Sequence, residues 1–242
     1  MEFFDIHCHM LAAVDDGAKT ESEMFSMLDL AYEDGVRKIC MTPHHEVETF
    51  GFCPDKIHAA FAAAETYASR NLPGLSLYLG SEISCRIDNV EDLRSGRCCT
   101  LAGGRYVLVD FLDVPDAEQI RRALEQFCCA GYIPVVAHVE RYRCLAGKLR
   151  EIEYLSADGI LFQINATSLL KDRRDLEKRT AEKILARGLA DVIASDAHDT
   201  KKRPPVLSAA FHFVEERYGG DSAELLFRKN PGKILENKTI RS

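Results

Sequence analysis

Seven short β-rich runs alternate with amphipathic helical stretches along the chain, and each run ends at, or just before, a residue able to carry chemistry. The runs are Phe3 to His7, Arg37 to Thr42, Leu75 to Glu82, Arg105 to Phe111, Ile133 to His138, Ile160 to Asn165 and Asp191 to Ser195. At or just past their carboxyl ends stand His7 and His9, then His44, Glu82, Asp110, His138, Asn165, and finally Asp196 with His198. Parallel strands joined by helices either close into a barrel or spread into an open, doubly wound sheet. In an open sheet only the ends at a switch point converge, whereas in a barrel all of them surround one mouth. A polar residue at every strand end therefore favours an α/β barrel with its site at the C-terminal face.

Between the first two runs, Thr20 and Glu23 form a capping box ahead of apolar Met24, Met27, Leu28 and Ala31, and Gly35 is placed to end that helix. Further helices are predicted over Pro54 to Arg70, Asp116 to Ala130, Arg173 to Arg187 and Pro204 to Arg217. With no Gly/Ser/Pro-rich linker or charge block between them, residues 1–242 read as a single domain. The chain carries 31 Lys and Arg against 38 Asp and Glu, a net charge of −7, which argues against a nucleic-acid partner bound through bulk charge. No window approaches the roughly 18 consecutive apolar residues of a membrane span, and the opening MEFFDIHCHM lacks the layout of a secretory signal. A cytoplasmic protein without membrane insertion is expected. Nine cysteines, an odd number with no C-x-x-C, fit reduced, packed thiols, with the pairs Cys98-Cys99 and Cys128-Cys129 in apolar surroundings.

His7 and His9 lie two residues apart, which on an extended segment puts both imidazoles on one side. Such a pair is weak by itself, because a histidine at a strand end is commonly a hydrogen-bonded structural residue. Here, however, His44, Glu82, Asp110, His138, Asp196 and His198 share the same predicted rim, with Asp16 in the loop after the first run. His45 is an ordinary alternative, and His58 and His212 fall within predicted helices as structural or solvated residues. A catalytic mononuclear zinc site needs about three protein ligands, so nine candidates imply two or three ions. Imidazole and carboxylate without thiolate suit manganese, iron or zinc, and strand alternation turns Cys8 away into packing. Four carboxylates and three divalent ions leave a positive mouth that attracts anions. Arg141 and Arg203 could then fork onto phosphate oxygens, unless they are surface salt bridges.

The motifs DIHCH, VDDG, TPHH, GSE, VLVDF, AHVERY and SDAH followed by RPP resemble the polymerase-and-histidinol-phosphatase (PHP) superfamily. More closely they resemble its CpsB/CapC-like branch, bacterial metal-dependent protein-tyrosine phosphatases of capsule and exopolysaccharide regulation. The resemblance runs from Asp5 to about Pro205 and implies a distorted (β/α)7 barrel with a trinuclear, typically manganese, centre. The ligands it implies are His7, His9, Asp16, His44, Glu82, Asp110, His138, Asp196 and His198, with Arg141 and Arg203 binding phosphate. The implied partner is the tyrosine-rich C-terminal tail of a membrane-associated tyrosine autokinase. The family usually has Glu at the position of Asp110, so this carboxylate is one methylene shorter.

The reaction expected is hydrolysis of a phosphomonoester by a metal-bound hydroxide. A tyrosyl leaving group, with a phenol pKa near ~10, reduces the need for a strong general acid. One rival is cysteine-based catalysis, since Cys99 with Arg105, and Cys144 with Arg150, have C-x5-R spacing. A phosphate-cradling cysteine loop should run from a strand into a helix, yet Arg105 opens a strand. A second rival keeps the metals and changes the substrate to histidinol phosphate or another small phosphate ester. A metal-stabilised scaffold fits less well, because structural sites are usually closed four-ligand cages.

Overall fold

The computed structural model describes residues 1–45, 53–85, 89–111 and 116–241. Its first half runs β1 (Phe3–Asp5), α1 (Glu21–Glu33), β2 (Val36–Met41), β3 (His44–His45), α2 (Pro54–Asn71), β4 (Ser76–Leu79), β5 (Glu82–Ser84), α3 (Asn89–Arg94) and β6 (Tyr106–Asp110). The second half runs α4 (Ala117–Cys129), β7 (Ile133–Val136), α5 (Leu149–Ala157), β8 (Leu161–Asn165), α6 (Ala166–Leu170), α7 (Leu176–Ala186), β9 (Val192–Ala194), α8 (Ser208–Tyr218), α9 (Gly220–Glu224) and α10 (Asn230–Leu235).

All strand pairings are parallel, in the order β1-β2-β4 and β3-β5-β6-β7-β8-β9. The second predicted run is found as β2 and is followed, past a break, by the short β3, while the third is split into β4 and β5. Pro43, lacking an N–H, lies in the first break, and the second falls at Gly80 and Ser81. Hydrogen bonds carry the pairing across the gaps, from Gly80 N to Met41 O (2.9 Å) and from Glu82 N to Pro43 O (3.1 Å). The nine described segments therefore make seven staves. The barrel closes where Asp196 N donates to His7 O and His9 N donates to Ala197 O, both at 2.8 Å.

Alternation along the staves sorts side chains into two layers. Tyr106 and Leu108, Val135 and Ala137, Leu161, and Val192 with Ala194 pack together with Ile234 and Leu235 of α10. Their neighbours Val107, Val109, Phe162, Ile164 and Ile193 pack in the larger cluster under the helices. Continued two residues at a time, the first set reaches Asp110, Gln163 with Asn165, and Asp196 at the carboxyl ends. The period that fills the barrel floor with apolar groups thus delivers polar ones to its mouth.

Helix α1 buries Met24, Met27, Leu28 and Ala31, and Thr20 accepts a hydrogen bond from Glu23 N. The reciprocal arm goes one residue further back than predicted, with Glu23 Oε2 accepting from Lys19 N at 2.8 Å. Two predicted helix starts are corrected. Asp175 caps α7, so it begins at Leu176 instead of Arg173. Helix α8 begins at Ser208 instead of Pro204, because Asp34 at the end of α1 accepts from Leu207 N and Ser208 N at 2.6 and 2.9 Å. Cys128 and Cys129 are exposed at the end of α4, against the expectation of apolar packing.

Candidate metal centre

His7 and His9 follow β1 on one side of the chain, and Cys8 between them points away, its thiol fully buried against Cys40 O at 3.6 Å. His44 opens β3, Glu82 opens β5, Asp110 ends β6, and His138, Asp196 and His198 follow β7 and β9. Asp16 comes from the loop between β1 and α1. The nine predicted residues meet at the mouth as four overlapping groups, the ligand atoms in each within 4.8 Å of one another. These are His9-Asp16-His44-His198, His7-His9-Glu82, His7-His138-Asp196 and Glu82-Asp110-His138.

Glu82 is the hub. Its Oε1 lies 3.0 Å from His138 Nε2 and 3.3 Å from His7 Nε2, and its Oε2 lies 3.0 Å from His44 Nδ1 and 3.2 Å from His9 Nε2. Asp16 Oδ1 lies between His198 Nε2 (3.3 Å) and His44 Nε2 (3.4 Å). Asp196 Oδ1 faces His7, His9 and His198 at 3.4 to 3.6 Å. Its Oδ2 accepts from Asn165 Nδ2 at 2.6 Å and Arg203 at 2.5 Å, with Arg141 at 3.6 Å. Both arginines are thus at the mouth, against one carboxylate.

Supporting contacts fix the imidazole tautomers. His9 Nδ1 pairs with Asp15 Oδ2 at 2.8 Å, His7 Nδ1 with Gln163 Oε1 at 3.0 Å, and His198 Nδ1 with Asp196 O at 2.9 Å. With Nδ1–H donating in each, the Nε2 lone pair faces the cluster, the arrangement that metal-ligating histidines require. The donor set fits divalent ions. Sequence reasoning missed Asp15, Gln163 and Tyr142, whose hydroxyl donates to Asp110 Oδ1 at 2.6 Å. The doubled acid of VDDG and the same-face spacing of Gln163 and Asn165 were the available signals. Two site residues also sit at left-handed backbone angles, His138 at φ 32° and Asp196 at φ 53°. Such strain costs about 1–3 kcal/mol per residue and collects at functional sites.

Burial alone would push the Glu82 carboxyl up, but His7, His138 and His44 bring it well below the usual range. Burial likewise opposes charge on His9 and His44. Asp15 and Glu82 nevertheless raise His9 to about 9, and Asp16 and Glu82 raise His44 to about 11. His198 is pushed down by burial despite Asp16. Protons on imidazoles thus offset buried carboxylates in the metal-free centre, and divalent ions would compete for the same lone pairs.

The remaining candidates lie elsewhere. His45 is buried with Nε2 at 2.9 Å from Asp92, while His58 and His212 are exposed on α2 and α8. Arg105, at the opposite end of β6 from the metal centre, donates to Thr239 Oγ1 at 2.8 Å. Burial raises the thiol pKa of both Cys99 and Cys144. That is opposite to a nucleophile's need.

The family model described as capsular polysaccharide synthesis, CpsB/CapC, matches residues 3–236. The tyrosine-protein phosphatase CpsB of Streptococcus pneumoniae is 32% identical over 241 residues, covering 98% of this chain and 99% of its own. A solved chain from the work on YwqE of Bacillus subtilis and CpsB of Streptococcus pneumoniae, described as unique metal-dependent tyrosine phosphatases, superimposes with a TM-score of 0.90. It is 28% identical and covers 100% of this chain and 96% of that one. The histidinol phosphate phosphatase of Lactococcus lactis, at 14% identity and a TM-score of 0.57 over 92% of this chain and 94% of its own, shares the fold. Matched over nearly its whole length by the family model and by a curated relative, this chain belongs to the CpsB/CapC family.

Proposed function

We propose that this protein is a metal-dependent phosphatase of phosphotyrosine in proteins. The observation that carries the reading is the double-faced carboxylate of Asp196, with Oδ1 toward three imidazoles and Oδ2 toward two guanidiniums. It sets a place for cations beside a place for phosphate oxygens. His7, His9, Asp16, His44, Glu82, Asp110, His138, Asp196 and His198 would hold two or three ions, manganese first. When bound, such ions supply a hydroxide nucleophile at neutral pH and neutralise charge on the phosphoryl group. Arg141 and Arg203 bind and orient the remaining phosphoryl oxygens. Asp15 and Gln163 hold His9 and His7 in the productive tautomer.

The reading extends to a cytoplasmic protein whose residues 1–242 act as one catalytic unit in capsule or exopolysaccharide regulation. Its partner is the tyrosine-rich tail of a membrane-associated tyrosine kinase. One buried cluster runs from Phe3 to Phe227, and all nine cysteines are free thiols, as a reducing compartment allows. No described helix is long and apolar enough to cross a membrane.

The test compares kcat/KM for a phosphotyrosine peptide, a phosphoserine peptide and histidinol phosphate in the manganese-loaded protein. The phosphotyrosine peptide should lead, and a lead by histidinol phosphate would overturn the assignment. In the same assay Arg141→Ala and Arg203→Ala should keep their metal and lose roughly ten- to 150-fold in turnover, the worth of a charge-assisted hydrogen bond of about 1.5–3 kcal/mol. Wild-type kinetics in both would return the arginines to plain salt bridges.

A further inference from the structure

Beside the mouth, the segment after β8 and the turn after β9 enclose a groove of about 440 Å³, whose lining includes Arg141, Arg203, Lys171, Lys202, Glu177 and Leu170. Arg141 and Arg203 face Asp196 and are assigned above to the phosphate that reacts. The two lysines stand further along the same groove, and phosphoryl transfer gives them no task. Lys202 is exposed on a turn that Asp199 builds, its Oδ1 accepting the N–H groups of Lys201 and Lys202 at 2.6 and 2.5 Å. Lys171 follows α6, and its ammonium is held by Glu177, both side chains part-exposed at 38% and 32%. Leu170 is 48% exposed on the same wall.

Four cations against Glu177 and Asp196 make this wall positive, on a chain whose net charge is −7. A positive groove on an acidic protein orients an anionic ligand and repels it elsewhere. We propose that the groove is a substrate subsite in which Lys202 and Lys171 read an anionic side chain near the phosphotyrosine, a proposal that rests on the phosphotyrosine-protein reading above. Lys202 is the primary contact, because Glu177 already neutralises Lys171. Glu177 then acts as a brake on binding, competing with the substrate for Lys171.

The test uses the manganese-loaded full chain, a small aryl phosphate, and three peptides alike except at one flanking position, occupied by glutamate, glutamine or a second phosphotyrosine. Wild type should show a lower KM for the glutamate peptide than for the glutamine peptide, with kcat unchanged. Whichever of glutamate and the second phosphotyrosine gives the larger advantage identifies the anion as carboxylate or phosphate. Lys202→Ala with Lys171→Ala should raise KM for the glutamate peptide about three- to tenfold, as expected for exposed ion pairs. The glutamine peptide and the aryl phosphate should be unaffected. Glu177→Gln should lower KM for the glutamate peptide, a direction that mere loss of packing would not produce. Equal KM values for glutamate and glutamine in wild type, or an equal rise for both in the lysine variant, would overturn the subsite. Turnover of the aryl phosphate with no hydrolysis of any peptide would instead overturn the phosphotyrosine-protein reading, and the subsite with it.

Discussion

A Cβ on Gly17 would stand 1.8 Å from His9 O, so only glycine lets the VDDG loop fold back on the first strand. That close approach brings Asp15 to His9 and Asp16 to His44 and His198. Asp110 is the looser member of the centre. Its Oδ1 is 3.8 Å from His138 Nε2, against 3.0 Å for Glu82 Oε1, and the Tyr142 hydroxyl holds it. Asp110→Glu should therefore raise metal content and Asp110→Ala should lower it, both read by elemental analysis after dialysis. Unchanged metal in both variants would remove Asp110 from the centre. The histidines set a pH dependence. His9 is raised to about 9 by Asp15 and Glu82 against burial, while an unfolded histidine titrates near ~6.5. Its stabilisation of metal-free protein is full below about pH 6.5, declines as pH rises toward about 9 and is lost above that. Glu82, held well below its ordinary value, has the opposite sign, stabilising above about pH 4.3 and losing that contribution as pH falls. Chelated protein should melt highest near about pH 5–6 and progressively lower toward about pH 9. The rise in Tm on adding manganese should grow over the same interval, because ions displace protons. A chelated Tm that climbs steadily with alkaline pH would contradict this balance.

Among the elements, the seam between the first and last staves holds the centre together. The buried Asp5 carboxylate accepts from Ser195 N at 3.1 Å and Ser195 Oγ at 2.5 Å, just below His7 and Asp196. Asp5→Ala leaves both donors buried without this partner, a loss of about 2–4 kcal/mol. The chelated variant should melt several degrees below wild type and bind metal more weakly, and an unchanged Tm would show that the backbone bonds close the barrel alone. Periodicity made the staves and α1 legible because both depend on residues close in sequence. The start of α8 was not legible, since its cap, Asp34, lies 173 residues before Leu207. Nor was α5, a short helix burying only Ile152 and Leu155, with no side-chain cap at Lys148.

At the scale of the molecule, strand-end chemistry was visible because a parallel barrel brings all its carboxyl ends to one mouth. Which acid of VDDG reaches the cluster and which orients His9 was fixed by loop geometry around Gly17. The polar support from Gln163 and Tyr142 likewise depends on partners 25 to 156 residues away. The carboxylates gathered at the mouth would oppose a phosphate, and divalent ions held there would reverse that local sign. The most direct test is therefore phosphotyrosine-peptide hydrolysis measured with metal content in one sample before chelation, after exhaustive chelation and after manganese is returned. Activity should fall to background as metal is lost and recover in proportion to the manganese bound. Full turnover in protein shown by elemental analysis to be free of metal would contradict the account.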